Sequence, residues 1–146
     1  MEARAREIAT KAHEGQVRWG GEPFITHPEA VARKFHNWPE EYRVVAWLHD
    51  VVEDGGWTLQ QLMNEGFTFL VVKTVDALTH RPEESYDAYI MRVMENDLAK
   101  RVKIADIEHN LSTSTDKQAK NKRIIWILSK LVLEQSIKLD RALAGR

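Results

Sequence analysis

The stretch Trp47-Leu48-His49-Asp50-Val51-Val52-Glu53-Asp54 puts one imidazole and three carboxylates within eight residues. At about 100° per residue, an α-helix through it stacks Asp50 on Asp54 and His49 on Glu53, one turn apart. Val44, Val45, Leu48, Val51 and Val52 supply much of the remaining circumference. A helix apolar over most of its surface is normally buried, and buried carboxylates need a metal, a partner charge or a shared proton. The segment therefore reads as the centre of a metal site. Further ligands must come from other elements, and His27 and Asp106 are the candidates that join His49 and Asp50. Two imidazoles and two carboxylates without sulfur suit manganese, iron or zinc rather than copper(I). Manganese, which accepts carboxylate and water ligands with open positions, fits a hydrolytic site. Glu53 and Asp54 lie a turn further on, close enough to orient a water or exchange protons with it.

The elements that must position these groups all read as helices. Residues 2–14 carry Ala5, Ile8, Ala9 and Ala12 on one stripe, and Gly15 suits a C-terminal cap. Residues 17–28 form a loop holding Gly20, Gly21, Pro23 and Pro28, but also Arg18, Trp19, Phe24 and His27; such loops more often serve function than packing. Pro28 suits a first helical turn, and that helix runs to about Asn37. Pro39 opens the next one, from Glu40 to about Glu53. Thr58 and Gln61 have capping-box spacing for a short helix closed by Gly66. The apolar run 67–78 fits a buried helix or strand by periodicity, and with no second strand candidate to pair with, helix is expected. Ser85 caps a helix bearing Tyr86, Tyr89, Ile90, Val93 and Met94. Another spans about 98–111, and a long one runs from Lys117 to about Leu143 behind Asp116 as N-cap. The expectation is an all-α fold of six to eight helices in one domain, residues 1–146.

Composition narrows the function classes. The chain has 146 residues, 43% of them hydrophobic, and a net charge of −1 from 21 basic and 22 acidic side chains. No global field favours nucleic acid or a membrane surface. No run approaches the roughly 20 apolar residues of a membrane span, and the N-terminus lacks a signal-peptide core, so a cytoplasmic location is expected. The absence of cysteine excludes disulfides, zinc-thiolate sites and a cysteine nucleophile.

Three ordered motifs then carry a family resemblance. His-Asp in an apolar helix, with an upstream histidine and a later aspartate, resembles the HD phosphohydrolases. Ala12-His-Glu-Gly-Gln-Val-Arg18 with Gly20-Gly-Glu-Pro-Phe-Ile-Thr-His-Pro28, then Leu48-His-Asp-Val-Val-Glu-Asp54, then Lys103-Ile-Ala-Asp-Ile-Glu-His-Asn-Leu111 resemble the signatures of RelA/SpoT-type alarmone hydrolase domains. The resemblance implies an all-α HD bundle that removes the 3′-pyrophosphate of ppGpp or pppGpp. It implies one Mn2+ held by His27, His49, Asp50 and Asp106, and Glu53-Asp54 at the attacking water. Asn110 would contact the ribose and Arg18 would stack on the base. Lys103, with His80 and Arg81, could supply charge to the phosphates, and Tyr86 is a candidate nucleotide wall. With no synthetase or regulatory region in its 146 residues, the chain resembles the stand-alone small alarmone hydrolases.

Two positions depart from that pattern. Trp19 stands where many relatives carry a basic residue, and Ile107-Glu108 where arginine and an aliphatic residue are common, which sets an acid near the site. Two alternatives stand beside the main reading: an HD phosphatase of another nucleotide such as NADPH, and an alarmone-binding module without turnover. Intact Glu53 and Asp54 argue against the second. His109 is expected to brace the structure or support a ligand, His13 and His36 to be structural, and the tryptophans to be core or pocket wall. The sequence leaves the oligomeric state open.

Overall fold

The computed structural model describes residues 1–115 and 122–145. Among them lie eight helices: α1 Glu2–Ala12, α2 Thr26–Arg33, α3 Glu40–Leu48, α4 Leu59–Asn64, α5 Phe69–Leu78, α6 Tyr86–Met94, α7 Asp97–Thr113 and α8 Lys122–Ala144. Side-chain caps set four of their starts. Thr58 accepts the Gln61 N–H while the Gln61 side chain accepts the Thr58 N–H, completing the expected capping box. Thr68, Ser85 and Asn96 likewise accept the N–H three residues on. Each such cap is worth about 1 kcal/mol. The expected N-cap at Asp116 and helix start at Lys117 lie outside the described residues, as does most of the basic run 117–123.

The all-α expectation holds, and 67–78 is helical from Phe69 onward. The only pairing of strand type among the described residues is an isolated bridge between Val17 and Pro23. It pinches the functional loop, with Arg18 N–H donating to Glu22 O at 2.9 Å and Phe24 N–H to Gln16 O at 2.8 Å. Gly21 makes the turn at φ +86°, a backbone conformation that side-chain-bearing residues rarely adopt.

α3 occupies the centre, packed by α1, α2, α5 and α7. Its buried residues Val44, Val45, Ala46, Trp47 and Leu48 meet Ala5, Ile8, Val31, Val75, Val102 and Ile107 in one apolar core. α8 lies along α7 and touches α6, burying Trp126, Ser129 and Leu133. No helix among the described residues is long and apolar enough to cross a membrane.

Two boundaries differ from expectation: α2 ends at Arg33 rather than near Asn37, and α3 also ends early. α3 stops at Leu48, and residues 49–54 form successive turns rather than continuing the helix to Glu53. The imidazole of His49 takes the Ala46 carbonyl at 2.6 Å, the acceptor that an unbroken helix would offer the Asp50 N–H. Val51 N–H closes a tighter turn onto Leu48 O, and the four-residue spacing returns at Asp54 N–H to Asp50 O. The segment ends at Gly55, where a Cβ would stand 2.7 Å from Val51 O and 3.0 Å from the Ala12 side chain.

Candidate metal centre

The turn after α3, the start of α2 and the middle of α7 converge on one point. His27 and His49 are buried, with ring centroids 5.2 Å apart. His27 Nε2 lies 2.7 Å from Asp106 Oδ1 and 3.7 Å from Asp50 Oδ2. His49 Nε2 lies 3.1 Å from Asp50 Oδ2 and 3.4 Å from Asp106 Oδ1. One ligand atom each from His27, His49 and Asp50 fall within 4.8 Å of one another, and the same is true of Asp50, Glu53 and Asp54. The four residues expected as ligands are thus brought together, with Asp50 between them and the acidic pair.

Hydrogen bonds at the far side of each ring orient the donors. His49 Nδ1 donates to Ala46 O, which leaves the Nε2 lone pair facing the cluster; Nε2 is buried and makes no hydrogen bond. His27 Nδ1 meets His109 Nδ1 at 2.7 Å. Burial, then the neighbouring His27, Arg18 and Lys34, lower the His109 pKa to about 4, so that ring is neutral and can accept the His27 N–H. This is the outer support that metal-binding imidazoles require. A buried, unsatisfied imidazole nitrogen facing two carboxylates fits a divalent metal, and the nitrogen/oxygen donor set matches a borderline or hard ion.

The carboxylates divide by environment. Burial opposes ionisation of Asp106, but Lys103 and the two imidazoles outweigh it and hold its carboxyl well below the usual range. Lys103 Nζ donates to Asp106 Oδ2 at 2.9 Å and lies 5.1 Å from the centre of the Tyr89 ring. Glu53 and Asp54 are not buried acids, as the apolar-helix argument implied; the break after Leu48 turns both toward solvent. Partial burial and the nearby Asp50 charge still raise both their pKa values. Glu53 Oε1 accepts the His80 N–H at 2.7 Å.

These groups line an open cavity of about 390 Å³, with Arg18, Trp19, Phe24, Asn110, Lys122 and Trp126 around its other side. Asn110 bridges the two sides: its Oδ1 accepts from Arg18 Nη2 at 2.9 Å, and its Nδ2 reaches Asp106 Oδ1 at 3.5 Å. The Arg18 guanidinium stands 4.5 Å from the Trp19 ring, which meets Trp126 at 6.0 Å. Trp126, expected as core or pocket wall, is both: it is buried and lines the cavity.

Two residues considered for the site lie outside this lining. Tyr86 does not line the cavity; it packs edge-on against Tyr89 and His80. Glu108 faces away, toward Lys34 at 3.9 Å and Lys130 at 3.8 Å. Two residues beyond Asp106, it is rotated about 200° around α7 from that ligand.

No family model matches the chain. Over 118 residues it is 37% identical to the bifunctional (p)ppGpp synthase/hydrolase SpoT of Escherichia coli K12, covering 73% of this chain and 17% of that protein. It is 37% identical over 119 residues to a guanosine-3′,5′-bis(diphosphate) 3′-pyrophosphohydrolase of Haemophilus influenzae, with the same coverage. A probable GTP pyrophosphokinase of Mycobacterium leprae is 35% identical over 135 residues, 82% of this chain and 17% of the relative. The chain therefore spans about a sixth of the length of the curated relatives it matches. Among solved structures, one described as a metazoan ortholog of SpoT that hydrolyzes ppGpp superposes with a TM-score of 0.74 at 20% identity, covering 99% of this chain and 94% of that one. The chain is thus similar in sequence to SpoT and to related (p)ppGpp proteins over 73% of its length, and it shares the fold of a metazoan SpoT ortholog over nearly all of it.

Proposed function

We propose that residues 1–146 form one HD-type, metal-dependent phosphohydrolase domain that removes the 3′-pyrophosphate of (p)ppGpp, giving GDP or GTP and pyrophosphate. The relatives' names include both synthesis and hydrolysis of such nucleotides, so the site chemistry must choose. One juxtaposition carries the choice: a His/Asp cluster with an unsatisfied imidazole nitrogen, and two solvent-facing carboxylates on the open side of the same cavity. That arrangement supports attack by water.

His27, His49, Asp50 and Asp106 would hold the ion, with Mn2+ the reading that suits their oxygen and nitrogen donors. A bound divalent cation supplies Lewis acidity toward water and phosphate oxygens. Glu53 and Asp54, with raised pKa values, take the proton as water adds to the phosphorus next to O3′. The O3′–P bond breaks, O3′ gains a proton and pyrophosphate departs. Arg18, beside Trp19 and fixed by Asn110, faces the base, and Asn110 the ribose. Lys103 contributes its charge through Asp106. The site therefore calls for a small nucleotide as substrate, not nucleic acid or membrane, and a cytoplasmic location follows from that substrate.

A second reading rests on Trp19 and Trp126, which make the wall near Arg18 more aromatic than basic and suit another nucleotide, such as NADPH. Purified protein loaded with Mn2+ and given ppGpp, pppGpp and NADPH separates the readings. Pyrophosphate from ppGpp is the expected product. Inorganic phosphate from NADPH alone would transfer the assignment, and binding of ppGpp without any product would make the chain a binding module.

A further inference from the structure

α8 has two apolar faces where a surface helix needs one. Trp126, Ser129 and Leu133 face the bundle and are buried. On the opposite side Ile124, Ile125, Ile127, Leu128, Leu131, Val132, Leu139 and Leu143 are all exposed, Ile124 by 66%, Leu128 by 57% and Leu139 by 59%. Their open surface is on the order of 700 Å², above the roughly 300–600 Å² of the largest apolar patch on a monomer and close to the roughly 800 Å² per partner of a stable interface.

The pattern on this face also states what kind of partner it fits. Ile125, Leu128, Val132, Gln135, Leu139 and Ala142 follow alternating steps of three and four, the spacing of a helix-pairing seam. The seam is symmetric about its midpoint between Leu133 and Glu134. When it lies antiparallel on itself, Ile125 meets Ala142 of the other copy, Leu128 meets Leu139, and Val132 meets Gln135. Every layer is filled, and Gln135 is a single polar position of the kind that fixes register. A two-fold interface requires this self-complementarity.

We propose that the chain forms a two-fold dimer through the outer face of α8, paired antiparallel with α8 of a second copy. The inference is independent of the reaction assigned to the cavity. It also buttresses that cavity from behind, because Trp126 on the inner face of α8 is part of its wall.

Sedimentation velocity on the full chain at about 100 µM, above the micromolar end of interfaces of this size, should give twice the 16.9 kDa of one chain. The double variant Leu128→Glu with Leu139→Glu places like charges in both symmetric layers and should sediment as a monomer with unchanged helical circular dichroism. Both positions are exposed, so neither substitution opens the core. Leu128→Glu with Leu139→Lys sets opposite charges across the antiparallel layers and should restore the dimer; a parallel pair would bring like charges together instead. A monomeric wild type overturns the proposal and leaves the face to a different protein. A dimer that survives Leu128→Glu with Leu139→Glu overturns it too, since the interface would lie elsewhere.

Discussion

Glu53 is held by a main-chain N–H, that of His80 at 2.7 Å, whereas Asp106 is held by side chains. The two carboxylates accordingly suit different tasks. Asp106, beside the Lys103 ammonium, stays ionised; Glu53, partly buried beside Asp50, holds a proton more readily. His49→Ala and Asp50→Ala should lose metal and activity together, as read by elemental analysis and pyrophosphate release. Glu53→Gln keeps the shape and the His80 contact but has no proton acceptor of comparable basicity. It should retain metal and lower kcat by about 10²–10⁴. In the wild type, the acid limb of the rate profile should fall above the ordinary glutamate value of about 4.3, because burial and the Asp50 charge raise Glu53. That limb should flatten in Glu53→Gln; an unchanged profile would remove Glu53 from the proton path.

The loop between α5 and α6 decides where His80 presents its N–H. Arg92 on α6 ties this loop down, donating to Glu84 through Nε and Nη2, to Thr79 O at 2.9 Å and to Asp76 O at 3.2 Å. Arg92→Met should loosen the loop, speed exchange of the His80 amide and lower kcat several-fold while metal content stays constant. If kcat is untouched although that amide exchanges faster, Glu53 is positioned by something else. The Arg92 hydrogen bond lowers the Glu84 pKa to about 2. A depressed acid contributes stability above its unfolded value of about 4.3 and loses it as pH falls toward the folded value. Thermal melts of wild type should therefore drop more steeply between pH 4.5 and 2 than those of Glu84→Gln, which carries no such proton.

At the scale of the molecule, three separate segments supply the cluster. His27 starts α2, His49 and Asp50 follow α3, and Asp106 sits within α7. An ion that binds all four pins these segments together in the folded state alone. Adding Mn2+ to chelator-treated protein should raise the melting temperature, by up to about 4 kcal/mol of stability at a thousand-fold excess over Kd. Asp50→Ala should show no such response in the same melt. Core burial sets the baseline beneath this effect: Ile107→Ala, at a position with no exposed surface, should cost about 2–5 kcal/mol by chemical denaturation.

The helices and their caps were legible because they depend on local chemistry. Apolar spacing, a Thr-to-Gln capping box and Ser85 ahead of Tyr86 act within one turn, where three or four residues settle the geometry. The donor set was legible for a similar reason, since His49 and Asp50 stand in a run too apolar to carry charge without a partner. What the sequence could not supply was direction. That α3 ends at Leu48 follows from His49 taking the Ala46 carbonyl, a side-chain choice that periodicity does not encode, and it turns Glu53 and Asp54 outward. Glu108 faces Lys34 and Lys130, and Tyr86 packs on Tyr89, because the rotation of α6 and α7 is set by their neighbours in the bundle. The sequence by itself determined an all-α chain and a His/Asp set that could hold a metal beside an acidic pair. Tertiary packing alone decided which of those side chains share a cavity, since distances between helices are fixed by the core they bury together and not by any residue within them.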